Sequence, residues 1–262
     1  MKILYVAELV GKAGIYALKK ALNEIKNSRP WDFLIVNGDG ATGGNGLGRN
    51  HAAYIQKLGA DAITLGECCF YKKDLTENLD KLPVVLRPEN LNSDSPGIGS
   101  RVFKAGDKKV AVAVLLGQNG FSRLNANSPF TALSPMLEKL RKQTPNIIVD
   151  FHAQATAEKM TLFFAADGFC SAVIGSHTRV QTADEKVSGM GTAFISDAGR
   201  TGSMESVGGC DVKSRIQEYL TGIPDWTKEA WDSPQLQGVY IELTQDGKAA
   251  SIERVRVPVQ AP

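Results

Sequence analysis

The sequence predicts an α/β fold of two packed sheets flanked by helices, and three observations predict it. Short apolar runs of strand length alternate with helix-period segments from the first residues onward. Mid-chain, RVFKAGDKKVAVAVLL reads as a hairpin turning at Ala105 to Lys108, so the sheet is mixed rather than purely parallel. The chain then closes with QGVYIELT and ASIERVRV, joined by the turn QDGK, which gives an antiparallel finish.

Taken in order, ILYVAEL is a first strand. A helix follows Gly11 and Gly14, with Ala17, Leu18, Ala21, Leu22 and Ile25 on one face. FLIVNGDG is a second strand, and beyond the loose loop ATGGNGLGRN comes a helix from about His51 to Leu58. DAITLGE and PVVLRPEN are the third and fourth strands, the latter ending in the turn-rich NSDSPGIGS. Pro135 to Lys142 closes a helix. IIVDFH and SAVIGSH are buried strands linked by the crossover helix AEKMTLFFAADG, and GTAFISDAG is a late strand. A chain of 262 residues with 43% hydrophobic side chains suffices for one large core, and with no linker in view we expect a single domain, 1–262.

Thirty basic and 28 acidic residues nearly cancel, so no extended field marks nucleic acid or an anionic membrane as the main partner. No apolar run reaches membrane-spanning length, and MKILYVAEL carries charge too early for a secretory core, which predicts a cytoplasmic protein. Four cysteines, with Cys68 and Cys69 adjacent, fit a reducing compartment better than a disulfide framework.

The stretch from Asp150 to Asp184 organises the rest. His152 and His177 each end a buried strand, and strand C-termini are where an open α/β sheet places its ligand crevice. Other strands end in Glu8, Asp39, Glu67 with Cys68, and Asp197. Any one such acid is more often a turn former. As a series, carboxylates with two neutral imidazoles suit manganese, iron or zinc, ions that polarise a phosphoryl group and acidify bound water.

The order of motifs AELVG, VNGDG, DAITLGECC, RPENL, DFHAQAT, GSHTRVQTAD and GTAFISDAGRTG resembles the calcineurin-like metallophosphoesterases over nearly the whole chain. Within them it is similar to the small bacterial YmdB-type branch, associated with hydrolysis of 2′,3′-cyclic nucleotide phosphodiesters. The resemblance implies an αββα four-layer sandwich with two metal ions bridged by a carboxylate. It also exposes departures. Glu8 stands for an aspartate; Gly38-Asp39-Gly40 for Gly-Glu-Asn, so one ligand is missing; and Gly66-Glu67-Cys68 for Gly-Asn-His, so the leaving-group acid has become a thiol. His152 is kept with Gln154 near it in place of a glutamate, while the closing His-Thr-His is His177-Thr178-Arg179.

Sorted by metal position, Asp39, Glu67, His152 and His177 retain one complete ligand set, whereas the other retains only Glu8 and the shared Asp39. Arginine cannot ligate a cation. We therefore expect Arg179 to take the lost ion's place, paired with Glu8, Asp39 or both, and to remain available as a bidentate phosphate clamp. The expected cofactor is at most one divalent ion, manganese, iron or zinc, with none as the other outcome. Cys68 is weighed as a poor acid or a thiolate ligand, and with Cys69 as apolar filler.

Three functions follow: a catalytically impaired homologue, or pseudoenzyme, that binds a phosphate-containing small molecule or a protein partner; an active single-metal phosphodiesterase or phosphatase; and a structural homo-oligomer. The loop GATGGNGLG lacks the lysine of a phosphate-binding P-loop and reads as a flexible rim of the site. His51 reads as a surface or helix-start residue, Trp226 and Trp231 as edge packing, and Lys72, Lys73, Lys108 and Lys109 as solvated charges.

Overall fold

The computed structural model describes residues 1–224 and 228–262; the expectation for Trp226 lies outside the described residues. In chain order the elements are β1 (Lys2–Val6), β2 (Glu8–Leu9), α1 (Gly11–Ser28), β3 (Phe33–Asn37), α2 (Arg49–Lys57), β4 (Ala62–Thr64), α3 (Lys73–Thr76), β5 (Val85–Leu86), β6 (Ser100–Ala105) and β7 (Lys108–Leu116). There follow α4 (Pro129–Arg141), β8 (Ile147–His152), α5 (Thr156–Ala166), β9 (Ala172–Ser176), β10 (Lys186–Val187), β11 (Ala193–Ile195), β12 (Arg200–Ser203), α6 (Val212–Thr221), β13 (Pro234–Leu243) and β14 (Ala249–Pro258).

One sheet runs β2-β12-β13-β1-β3-β4-β5 with β14 added on β13, and the other runs β10-β11-β9-β8-β7-β6. β1, β3, β4 and β5 are parallel, as are β7, β8, β9 and β11, while β13, β14 and the edge strands β6 and β10 pair antiparallel.

Side-chain alternation sorts these strands into layers. Ile3, Tyr5, Phe33 and Ile35 meet Val112, Val114, Ile148 and Ile174 between the sheets. Their neighbours Leu4, Val6, Leu34 and Val36 face Leu18, Leu22 and Ile25 of α1. On the far side Ala113, Leu115 and Phe151 pack on Leu137 of α4 and on Leu162 and Phe163 of α5. The strands are buried on both faces because helices cover both sheets. This is the helix–sheet–sheet–helix sandwich that the sequence predicted.

Several boundaries differ from the sequence reading. ILYVAEL is two strands, because the chain changes partner at Ala7: its N–H donates to Gln237 while Glu8 and Leu9 pair with Arg200 and Thr201. The helix that Pro135 to Lys142 is expected to close does end there, at Arg141, and it begins at Pro129, whose missing N–H would be unpaired anyway in a first turn. Neither β12 nor α6 was anticipated. Trp231 packs at an edge, tilted against Tyr16 with ring centroids 6.1 Å apart.

Beneath the strand ends a buried polar hub pins the sheets together. Asp150, fully buried in β8, accepts from Tyr5 Oη at 2.7 Å, Thr64 Oγ1 at 2.5 Å, Ser176 Oγ at 2.7 Å and Asn37 Nδ2 at 3.2 Å. Burial and the adjacent carboxylate push the Tyr5 hydroxyl up, so it remains a donor. Tyr5→Phe removes one of these donors with little change of shape. We expect a loss of about 1.5–3 kcal/mol, the range for a hydrogen bond to a charged group, read from urea unfolding; an unchanged midpoint would deny the hub its structural weight.

Candidate metal centre

The C-terminal ends of β1, β3, β4, β8 and β9 converge at one edge of the sandwich and carry Glu8, Asp39, Glu67, His152 and His177 to it. Glu67 is the centre of the arrangement. Its Oε2 hydrogen-bonds His152 Nε2, and its Oε1 lies 3.2 Å from His177 Nδ1. Asp39 sits behind, accepting backbone N–H groups from Gly66 at 2.6 Å and Cys68 at 3.1 Å, with Oδ2 3.7 Å from His152 Nε2. His152 Nδ1 in turn meets Ser176 Oγ at 2.9 Å, which joins the imidazole to Asp150.

Burial opposes charge on His152, but the Glu67 carboxylate and its hydrogen bond, with Asp39 and Glu8 beyond, push the imidazole up to about 10. Burial likewise opposes ionisation of Glu67, yet the two histidines outweigh it and hold that carboxyl well below the usual range. Asp39 goes the other way: burial and the charges of Glu67 and Glu8 push it up. Burial and the same carboxylates push the Cys68 thiol up, so it is neither a thiolate nor an available acid near neutrality.

Arg179 fills the other half of the site. Its Nε and Nη2 donate to Glu8 Oε1 at 3.0 and 2.6 Å, Nη1 donates to Gly208 O at 3.0 Å, and Nη2 donates also to Gly44 O at 2.8 Å. Four of its five N–H groups are thus engaged, which corrects the expectation of a free phosphate clamp. Its partner is Glu8, and Asp39 is occupied by the Gly66 and Cys68 amides. Glu8, 2% exposed, belongs to none of the metal-competent groups among the described residues.

Set beside known proteins, the chain matches the model of the YmdB-like protein family over residues 4–255. It is 36% identical over 258 residues to the 2′,3′-cyclic-nucleotide 2′-phosphodiesterase of Bacillus subtilis, covering 98% of this chain and 97% of that one. This chain belongs to the YmdB-like family. A phosphatase structure from Mycoplasma pneumoniae superposes with a TM-score of 0.91 at 30% identity, covering 98% of this chain and 93% of that one. A 5′-nucleotidase precursor from Thermus thermophilus shares the fold at 12% identity, with a TM-score of 0.58 over 98% of this chain and 54% of that one. The expected kinship with the YmdB-type branch is therefore borne out, and the two-sheet sandwich is a fold shared with 5′-nucleotidases.

In this YmdB-like chain the donors of Glu67, His152 and His177 lie within 4.8 Å of one another, and a second such group joins Asp39, Glu67 and Cys68. Two imidazoles and a carboxylate fit one borderline divalent ion. Asp197, also considered from sequence, is not in the site: it is buried against Lys159 Nζ at 2.8 Å and accepts from Thr178 N and Oγ1 at 2.9 and 2.7 Å. That pairing holds the turn in which His177 and Arg179 adopt left-handed φ values of 100° and 60°, conformations that non-glycine residues adopt only under constraint.

Gly43, Gly44 and Asn45 line a cleft of about 730 Å³ with Tyr71, Lys72 and Arg123, and none of Glu8, Asp39, Glu67, His152 and His177 is among its lining residues. Lys72 is thus a cleft residue rather than a bulk-solvated charge. His51 is half-buried in the first turn of α2, its Nδ1 2.7 Å from Thr42 Oγ1. Phe121 was not found from sequence: it caps both histidines, with ring centroids 4.9 Å from His177 and 6.0 Å from His152, and sits in a loop without periodicity. Asp150 had a signal, since DFH places it two residues from His152 on the same strand face.

The His152–Glu67 pair sets a pH dependence. A raised imidazole stabilises the fold fully below its unfolded value of about 6.5 and loses that contribution as pH rises through about 10. In chelator-treated protein, the stability excess of wild type over Glu67→Gln should fall from pH 7 to 10, by at most about 1.4 kcal/mol per pH unit. A flat excess in urea unfolding would mean that His152 is neutral throughout.

Proposed function

We propose that this YmdB-like protein is a divergent phosphodiesterase homologue that holds at most one divalent ion, hydrolyses phosphodiesters slowly or not at all, and acts by binding a phosphate-containing ligand. The observation that carries the reading is the Arg179–Glu8 ion pair. A Cβ at Gly40 would lie 2.7 Å from Glu8 Oε1, 2.8 Å from the Leu9 carbonyl oxygen and 2.9 Å from Arg179 Nη2. The family's asparagine at that position therefore has no room beside the guanidinium, the longer acid and the Leu9 carbonyl. Glu8, Gly40 and Arg179 read as one coupled exchange of an ion for an internal cation.

Glu67, His152 and His177, with Asp39 behind them, are the residues that would hold a remaining ion, and such an ion would supply Lewis-acid polarisation of a phosphoryl oxygen. Around it the chain offers little further help. Cys68 stands where the resemblance places the leaving-group acid, and loss of a general acid alone removes about 10²–10⁴ in rate. Phosphate recognition falls to the cleft cations Lys72 and Arg123, because Arg179 is committed to Glu8. Cytoplasmic localisation is part of the same reading. Among the described residues no helix is long and apolar enough to cross a membrane.

The Glu67–His152–His177 cluster favours one second reading, an active single-metal phosphodiesterase. Hydrolysis of a 2′,3′-cyclic nucleotide, with manganese, iron and zinc each supplied, separates the two. Assayed beside the Bacillus subtilis relative, this chain should turn over at no more than about one hundredth of its rate. A rate within tenfold, lost on His177→Ala, would overturn the proposal and establish the single-metal enzyme.

A further inference from the structure

The first turns of α5 carry two buried charges that reach in different directions. Lys159 goes to Asp197, beneath the turn of His177 and Arg179. Glu158, 8% exposed, goes instead to the loop that leaves β7. Its Oε1 accepts from Gln118 N at 2.8 Å and its Oε2 from Asn119 Nδ2 at 3.3 Å. A buried carboxylate is costly unless donors meet it, and here the donors are loop amides rather than a lysine or arginine. The start of a helix also favours its charge.

That loop is otherwise thinly held. Among the described residues, no main-chain group from Asn119 to Ala126 hydrogen-bonds another main-chain group. Close approach seats it at one end: a Cβ at Gly117 would lie 2.6 Å from Glu158 Oε2, and one at Gly120, whose φ is 87°, would collide with Gln154 Oε1. At the other end Arg123 lies over the Tyr71 ring, 4.8 Å from its centroid. Between these anchors Phe121 covers both histidines, edge-on to His177. Arg123 and Leu124, a few residues on, line the cleft from which the ion-centre side chains are absent. One loop thus borders the cleft with one part and the ion centre with another.

Given Glu67, His152 and His177 as an ion centre, the reading on which this inference rests, we propose that residues 117–124 form a strap separating cleft from centre. Glu158 is the positioning residue that keeps the strap closed. A ligand in the cleft reaches the centre only when Phe121 withdraws, and withdrawal breaks the loop's bonds to Glu158. Segments held by few bonds open locally without unfolding the rest. With Phe121 in place the imidazoles meet an apolar ring instead of water, which strengthens their pairing with Glu67.

Diethyl pyrocarbonate, which acylates accessible neutral imidazoles, tests this on the chelator-treated full chain. Modification of His177 is followed by peptide mass mapping against His51, which lies outside the centre. Phe121→Ala and Glu158→Ala should each raise the His177 rate relative to His51 by on the order of fivefold, the worth of one or two hydrogen bonds. Glu158→Gln keeps an acceptor for Gln118 N and should stay within about twofold of wild type. The Phe121→Ala, Glu158→Ala double variant should be no faster than the faster single, because both act through one strap. Should Glu158→Ala fail to fold by circular dichroism, Asn119→Ala removes one of the same bonds at an exposed position and should shift the ratio in the same direction. An unchanged ratio in Phe121→Ala, or effects that add in the double variant, would overturn the proposal. Read without metal, the ratio can fail while the single-ion reading holds, and the reverse, so the two failures are distinguishable.

Discussion

Three carboxylates, those of Glu8, Asp39 and Glu67, are carried to one point by the ends of parallel strands, and the rest of the site is arranged to balance them. Buried like charges raise one another's proton affinity and resist burial together. The side chains meet the problem three ways: Arg179 pairs with Glu8, a charged His152 pairs with Glu67, and burial pushes Asp39 toward its neutral form. Each solution occupies space as well as charge, which is why the crowding at Gly40 bears on how the site is read. An ion between Glu67 and the histidines would take over the work of the second pair while leaving the first untouched.

That balance is held by the fold beneath it. Asp150 collects hydrogen bonds from both sheets and passes order upward through Ser176 to His152, while Asn37 Oδ1 accepts from Asp39 N. On the other flank, Lys159 reaches from α5 to Asp197, which fixes Thr178 between two left-handed residues. A buried lysine–aspartate pair contributes little net stability, but removing one member strands the other. The turn bearing His177 and Arg179 therefore has little freedom to rearrange around a ligand.

The parts of this that were legible in sequence are those with a period. IIVDFH and SAVIGSH announce buried strands, α1 shows its stripe, and the β13–β14 hairpin shows its turn. The convergence of Glu8, Asp39, Glu67, His152 and His177 followed from their positions at strand ends. The Arg179–Glu8 pair was anticipated, but not the two backbone carbonyls that complete the guanidinium's partners, because Gly44 and Gly208 lie 135 and 29 residues away in sequence. Phe121 belongs to a loop placed by tertiary packing alone. α6 escaped because its stripe faces water, so a pattern that ordinarily signals core had no core to match.

If Arg179 stands in place of an ion, the metal stoichiometry of the site is limited. The direct measurement is metal content per chain by elemental mass spectrometry, on protein purified without a metal-affinity tag and supplied with manganese, iron and zinc. The account predicts no more than one ion per chain, removed by His152→Ala and His177→Ala and unaffected by Glu8→Gln. Two ions per chain would contradict it, since the second would have to share with Arg179 the carboxylate that now neutralises it.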